Sequence, residues 1–337
     1  VQSIVSLLTS TDQAFFQFLQ GRRKVHSILP HILLFVLLAP ICFLVNCLLY
    51  PTRRGEVLLI VASKSYRPQI SANALLFSVG ILLLFSVFRH ISYPLLWNDE
   101  AETAEYGRRI LKYGYPKIHD GDKLLFLWEQ GPISLGTKEP LDAYIISGWG
   151  QYYFAAIPAF FTHYTENIYF PTAIMRIPFA AVGCLGLAIM LLAIAQCFSS
   201  TNERLNISAI FLILCLSSIS LALHLREVRY YSLILFFSSC SFWIFSKRVI
   251  VQQSGYKTYL VLLPIFLLGI LVSFYPVFII MILSMGIYVC ASHLMQRNNW
   301  RENLHFLCKE ALPLFLSAAL AIPYFIFFET FSISAAI

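Results

Sequence analysis

Charge is what this chain has least of. Of its 337 residues only 12% are Asp, Glu, Lys or Arg, against 58% hydrophobic, where soluble domains carry about a quarter charged residues. With a mean hydropathy of +0.73, it has too little polar surface to face water all round, which excludes a soluble globular or disordered protein. Carboxylates are scarcer still: 17 Asp and Glu stand against 24 Lys and Arg, a formal charge of +7. In a membrane protein that excess collects in cytoplasmic loops and sets orientation, so it does not call for nucleic acid. The eight cysteines include no Cys-x-x-Cys pair, and most, such as Cys42, Cys184, Cys215 and Cys290, lie in apolar runs. They read as small core residues, not as disulfide partners or metal ligands. No internal repeat or low-complexity tract is visible, and no N-terminal stretch has the short apolar core and cleavage site of a signal peptide. The chain starts at Val1 and ends at Ile337 straight after an apolar run, so both ends read as truncated.

A hydrocarbon layer of about 30 Å takes roughly 20 apolar residues in helical form. The stretches 31–50, 72–96, 171–197, 207–225, 230–246, 257–274, 276–294 and 311–331 approach that length. The expected fold is therefore an all-α polytopic membrane protein. Residues 257–294 as one helix would measure about 57 Å, too long for one crossing, and Phe274-Tyr275-Pro276 offers the break. The stretch 141–165 is also long enough to cross, but Trp149, Tyr152, Tyr153, Phe154, Phe160, Phe161 and Tyr164 crowd it. Aromatics at that density prefer the headgroup layer, where a helix can lie in the plane.

Basic residues arbitrate. Arg53, Arg54, Lys64 and Arg67 make 51–70 cytoplasmic, so 72–96 exits and 98–140 lies outside. With 141–165 in the plane, Lys247, Arg248, Arg297, Arg301 and Lys309 all fall inside; if it crosses, all of them move outside. The in-plane reading follows. Arg22, Arg23 and Lys24 precede 31–50 and would then lie outside, so either 31–50 does not cross or the charge rule fails there.

Under this topology the polar groups in or beside the spans gather at the outer face: Arg89 and His90, Asp99 and Glu100, Arg176, then Arg226, Glu227 and Arg229, and Glu329. A permease would keep such groups near the midplane, so a site in the outer leaflet fits better. Carboxylates at a membrane exit are costly and tend to be kept for chemistry. The run from Asp99 to Pro116 reads as a short helix with acids first, bases last, and Gly114 then Pro116 after it. Asp99 with Glu102 has capping-box spacing, so Asp99 is either a cap or a working carboxylate. Tyr106, Ile110 and Tyr113 make a stripe suited to lipid, and Glu105 with Arg109 reads as a surface pair. Residues 117–140 read as an irregular loop. In it His119-Asp120-Gly121-Asp122 reads as a turn that could hold a cation, and Lys138 with Glu139 returns either chemistry or an anchor to the interface. Arg226 and Arg229 share a helical face. They either clamp an anion, since a planar guanidinium binds two phosphate oxygens at once, or snorkel to headgroups.

Several short segments then follow one another in a set order. Asp99-Glu100 follows an early span, then Gly114-Tyr115-Pro116 with Asp120-Gly121. Lys138-Glu139-Pro140-Leu141 runs into Gly150-Gln151-Tyr152-Tyr153, and Arg176-Ile177-Pro178-Phe179 comes last. Over residues 72–250 or so, this order resembles the C-type (GT-C) glycosyltransferase superfamily, and within it the branch of the lipid A aminoarabinose transferase and protein O-mannosyltransferases. The resemblance implies a GT-C-like transmembrane helix bundle over 72–337, with 98–165 as an outer catalytic loop carrying juxtamembrane helices. Residues 1–71 would be an N-terminal segment with one apolar span, partly cytoplasmic, and a C-terminal part would be missing. It implies a multi-pass protein of a bacterial inner membrane with its active site facing the periplasm. The implied reaction moves a sugar from a polyprenyl-phosphate donor to the hydroxyl of a lipid, glycan or protein acceptor, with inversion. Membrane lipids are the other expected partners. The usual acid-Lys-Pro or Lys-Pro-Pro element is here Lys138-Glu139-Pro140, and the second outer turn, where many relatives carry Asp, is Arg226-Glu227-Val228-Arg229. Relatives are also longer, and 31–50 is extra.

By position the resemblance puts Asp99 at the catalytic centre with Glu100 beside it. A departing phosphate gathers negative charge, and Arg226, Arg229, Arg176 and Lys138 are the candidates to hold it. Asp99 would accept the proton of the attacking hydroxyl. Glu139 would position the acceptor or raise the basicity of Asp99 by like-charge proximity, and Glu227, Tyr230 and Glu102 would position substrate. A divalent cation, Mg or Mn, bridging Asp99 and Glu100 is compatible with these residues and not demanded by them. Two rivals share the composition. A flippase or transporter of lipid-linked sugars would show midplane charges and repeat symmetry, and a non-catalytic scaffold would tolerate Asp99→Asn.

Overall fold

The computed structural model describes residues 56–58, 69–121, 123–125, 128–129, 134–135, 137–138, 142–164, 167–251, 255–272, 275–296 and 300–328. The expected span 31–50 with its basic flanks, Asp122, Glu139, Arg297 and Glu329 lie outside the described residues. The chain is mostly helical. Among the described residues three helices are long and apolar enough to cross a membrane: α4 (Tyr169–Ala195), α7 (Tyr231–Phe245, continued by a π turn to Ile250) and the Cys308–Phe327 part of α11 (Trp300–Phe327). A fourth span results if α5 (Thr201–Ser217) and α6 (Ile219–Arg226) cross as one.

Several expected boundaries shift for local reasons. The stretch 207–225, expected as one span, is broken at Ser218 and bent by 76°. Ser218 takes an extended backbone and its hydroxyl accepts from the Leu221 N–H at 3.2 Å, capping α6. The first described helix, α1 (Ala72–Phe88), stops short of the expected 96 and leaves 89–97 irregular. Residues 257–294, expected as two spans, hold α8 (Tyr256–Tyr259), α9 (Leu262–Val272) and α10 (Tyr275–Gln296), and their apolar parts, Tyr256–Val272 and Val277–Ala291, are shorter than a span. The aromatic stretch 141–165 forms only α3 (Gly150–Ala159) and a 3-10 turn to Tyr164. Ten residues rise about 15 Å, half of a hydrocarbon layer, so this helix is too short to cross. The expected irregular loop instead folds partly as small antiparallel pairs, β3 with β4 (His119–Asp120, Lys123–Leu124), β5 with β6 (Trp128–Glu129, Ser134–Leu135) and β7 with β8 (Thr137–Lys138, Ala143–Tyr144). Another pair, β1 with β2 (Glu56–Leu58, Gln69–Ser71), precedes α1.

The centre of the bundle is the crossing of α4 and α7, where small residues bring backbones together. A Cβ at Gly186 would lie 2.9 Å from the Phe236 Cα, and one at Gly183 would lie 2.6 Å from Leu225 Cδ2. One apolar core fills the space between α1, α4 and α5 with Val79, Leu83, Val87, Leu187 and Leu212. A second, with Phe245, Phe266, Phe278 and Leu314, joins α7 to α9, α10 and α11. Outward positions such as Phe77, Ile287, Phe315 and Ile326 are exposed and apolar, as expected of helices that meet lipid.

Charges separate to the two ends of the bundle. At one end Arg248 on the π turn of α7 pairs with buried Glu310 of α11 at 2.6 Å, with Lys247 and Lys309 beside them. The Tyr259 hydroxyl donates to the Glu310 carbonyl at 2.9 Å. At the other end lie α2 (Asn98–Tyr113), α3, Arg176 and the 226–230 turn. Gly186→Leu is expected to cost about 1–3 kcal/mol by overpacking α4 against α7, read as a lower unfolding midpoint in detergent. Gly80→Leu, where nothing lies within 4 Å, should leave that midpoint unchanged.

Candidate functional site

The site is built on α2. Trp97 caps its start, and the Glu100 carboxylate reaches back to the Trp97 N–H at 3.3 Å. Only the Glu100 half of a capping box is made, at Trp97, two residues before the expected pairing of Asp99 with Glu102, and Asp99 is not the cap. At the far end Gly114 turns left-handed (φ 84) and its N–H bonds Ile110 O at 2.8 Å. Tyr106 and Ile110, expected to rest on lipid, are buried against Tyr144 of β8 and Tyr152 and Ala156 of α3. Gly107 makes that crossing possible, since a Cβ there would lie 2.9 Å from the Ala155 backbone. Arg109 is not at the surface either. It is 3% exposed and donates to the carbonyls of Lys117, Ile118 and Lys123, so it pins the loop to α2 while its contact to Glu105 is 3.5 Å.

One buried ion pair fixes the start of this helix in the bundle. Glu100 is 0% exposed and Arg176 of α4 is 3% exposed. Arg176 donates from Nε to Glu100 Oε1 at 2.9 Å and from Nη2 to Oε2 at 2.5 Å. The Val228 N–H donates to the same Oε1 at 3.0 Å. The remaining donors of Arg176 reach the carbonyls of Ile91 at 3.0 Å and Pro94 at 2.6 Å. Both groups are thus saturated. Arg176, expected to hold a donor phosphate, has no free edge for one, and Glu100, expected among the catalytic acids, is enclosed in a structural lock. Arg226 is diverted in the same way: it donates to the carbonyls of Arg89, at 3.0 Å, His90 and Tyr93. The irregular segment 89–97 is held by these two arginines, which explains how the helix can end at Phe88 with its next carbonyls satisfied.

Asp99 and Arg229 are less fully committed. Asp99 is 31% exposed and pairs with Nη1 of Arg229. The Arg229 guanidinium lies 5.6 Å from the ring centroid of Trp97, 5.2 Å from Tyr230 and 5.8 Å from Tyr231, within cation–π range. Its other nitrogens have no acceptor among the described residues. Of Arg176, Arg226 and Arg229, only Arg229 therefore has donors to offer a phosphate. Tyr230, expected to position substrate, borders this group, and burial next to Tyr231 pushes its hydroxyl up to about 12. Glu227, expected in the same role, pairs with His224 Nδ1 at 3.2 Å.

One turn further along α2, Glu102 is half-buried beside Asp99. Burial raises its carboxyl above the usual range; a hydrogen bond from Tyr144 opposes this, Asp99 adds to it and Arg229 opposes it again. Tyr106, Tyr144 and Tyr152 cluster behind it with ring centroids 4.6–5.9 Å apart, and burial raises all three hydroxyls. This tyrosine cluster was not foreseen as part of the site, although Tyr106 and Tyr152 were singled out as surface aromatics. In front of α2 a cleft of about 360 Å³ opens between Asn98, Glu102, Glu105 and Arg108 on one side and Pro171 and Met175 of α4 on the other.

Lys138 falls in β7. Asp99 and Glu100 do not converge on a shared cation position, since each carboxylate faces its own guanidinium. Among the described residues no three His, Cys, Asp or Glu side chains gather as metal ligands. The His119–Asp120 turn is a hairpin: His119 pairs with Asp142 at 2.7 Å, and Asp120 accepts from Lys112 and Tyr113, each at 2.6 Å.

Two expectations follow. Arg176→Met strands a buried carboxylate and should cost about 3–5 kcal/mol, with part regained in Glu100→Gln/Arg176→Met; denaturation midpoints in detergent read both. The bonds from Lys112 and Tyr113 lower the Asp120 carboxyl to about 2 from its ordinary 3.8. Its stabilising contribution is present above 3.8 and lost as pH falls through about 2. The difference in unfolding midpoint between wild type and Asp120→Asn should therefore vanish on acidification across that window. Compared with known proteins, the chain matches no family model, no curated protein and no solved structure.

Proposed function

We propose that this chain is the membrane domain of a glycosyltransferase that moves a sugar from a polyprenyl-phosphate donor to an acceptor hydroxyl, with inversion, at the outer membrane face. The observation that carries the reading is the Asp99–Arg229 pair: a half-exposed carboxylate and a guanidinium with uncommitted donors, at the edge of an apolar bundle and one turn from a cleft. A lipid-linked donor would approach such a site from the bilayer with its phosphate at headgroup depth. The order of segments, which resembles that of the C-type glycosyltransferases, supports the same reading.

Arg229 would hold the donor phosphate through the donors it does not spend on Asp99, and stabilise the charge that gathers as the glycosidic bond breaks. Asp99 orients that arginine and balances its charge before the donor arrives. A carboxylate on this face of α2, Asp99 or Glu102, takes the proton of the acceptor hydroxyl as its oxygen attacks the anomeric carbon from the side opposite the phosphate. A single displacement inverts the centre. Mid-bundle charge, which a transporter of lipid-linked sugars would need, does not feature in this mechanism.

The test is transfer of labelled sugar from polyprenyl phosphate in membranes that carry the protein. Asp99→Asn, which takes the charged partner from Arg229, should lower transfer while inserting normally. Equal transfer by wild type and Asp99→Asn would remove Asp99 from the centre. No transfer by wild type, across several sugars and acceptors, would sink the enzyme reading in favour of transport.

A further inference from the structure

Resting on the glycosyl-transfer reading, we propose that the cleft between α2 and α4 seats the hydroxyl-bearing acceptor, and that Glu102 is the catalytic residue that takes its proton. The cleft, about 360 Å³, is within the span of small-ligand sites, about 300–1,000 Å³. Its two sides differ in kind. Along α2 it presents an amide, two carboxylates and a guanidinium; across from them Pro171, Met175 and Leu96 are apolar. A sugar or other polyol offers hydroxyls at its edge and C–H groups on its face, and so matches both sides at once.

The charges on the polar side are unequally committed. Glu105 lies 3.7 Å from Arg108 and 3.5 Å from Arg109, and Arg108 also reaches Thr162 Oγ1 at 3.4 Å. Those charges offset one another. Glu102 makes no salt bridge among the described residues; its close partner is the Tyr144 hydroxyl. A half-buried carboxylate held by a neutral donor is left with a free lone pair for a second O–H, which the acceptor supplies. The groups that face it are Asp99 and Tyr106 on its own helix, Tyr144 from β8, Tyr152 from α3 and Arg229 from the turn before α7. Pro171 and Met175 of α4 bring no charge. In this setting burial raises the proton affinity of Glu102, which makes it a stronger base than an ordinary solvated carboxylate. Asp99 is bonded to Arg229 and is the positioning residue of the pair.

The step balances. The acceptor O–H proton passes to Glu102, and the oxygen lone pair forms the bond to the anomeric carbon. The carbon–oxygen bond to phosphate breaks with its electrons moving to the phosphate oxygen, beside Arg229. Glu102 then releases its proton to water.

Transfer kinetics in membranes carrying the full chain test this, with polyprenyl-phosphate sugar as donor and a soluble polyol acceptor. Wild type should show kcat rising with pH along an acidic limb. Glu102→Gln, which keeps an acceptor for Tyr144, should lose that limb and about 10²–10⁴-fold in kcat with the donor KM unchanged, and Glu102→Asp should restore part of the rate. Ala101→Phe narrows the cleft without touching a charge and should raise the KM for the acceptor alone. Wild-type transfer with an unchanged kcat and acidic limb in Glu102→Gln overturns the role of Glu102. An unchanged acceptor KM in Ala101→Phe overturns the cleft as its seat. Absence of transfer by wild type overturns the glycosyl-transfer reading and this inference together.

Discussion

The arrangement at this end of the bundle depends on one buried ion pair, Glu100 with Arg176. Charges removed from water are costly unless every donor and acceptor is used, and here they are. Glu100 takes two bonds from Arg176, one from Val228 N–H and one from Trp97 N–H, while Arg176 also binds the carbonyls of Ile91 and Pro94. The pair thus joins four segments: the irregular chain after α1, the start of α2, α4, and the turn before α7. Its main effect is one of position. Asp99 is the neighbour of Glu100, and Arg229 is the neighbour of Val228, so fixing Glu100 against Val228 sets Asp99 and Arg229 face to face.

Residue type alone did not assign these roles. Arg176, Arg226 and Arg229 are chemically identical, and each lies near the same end. What separates them is how many of their donors the fold has already used. Arg176 and Arg226 are spent on carboxylate and carbonyl oxygens of the 89–100 segment. Arg229 keeps donors in hand and is framed by three aromatic rings. The acids divide in the same way: Glu100 is enclosed, Asp99 is half-exposed on an arginine, and Glu102 is half-buried on a tyrosine hydroxyl.

The segregation of charge along the bundle follows from the medium. Ionic groups in hydrocarbon cost several kcal/mol or are displaced toward water, so Arg248 and Glu310 lie at one end and the α2 cluster at the other. Between them the helices meet through apolar and small side chains, and Gly183 and Gly186 let α4 and α7 approach closely enough for packing to hold them.

Much of this was legible in the order of residues. Long apolar runs have only one way to satisfy their backbone in lipid, so the helices over 169–195, 231–250 and 308–327 follow from composition. Gly114 closing α2 follows from local backbone preference. The shortness of α3 was foreshadowed by its aromatic load. The bend at Ser218, the early end of α1 and the burial of Arg109 were not legible, because each depends on a hydrogen-bond partner distant in sequence or on a cap that competes with an unbroken helix. The sequence by itself determined that acids and arginines would be driven to the ends of an apolar bundle. Only the tertiary structure decided which of them were consumed in holding it together and which were left to act, since a charged group's availability is set by the partners that packing brings to it.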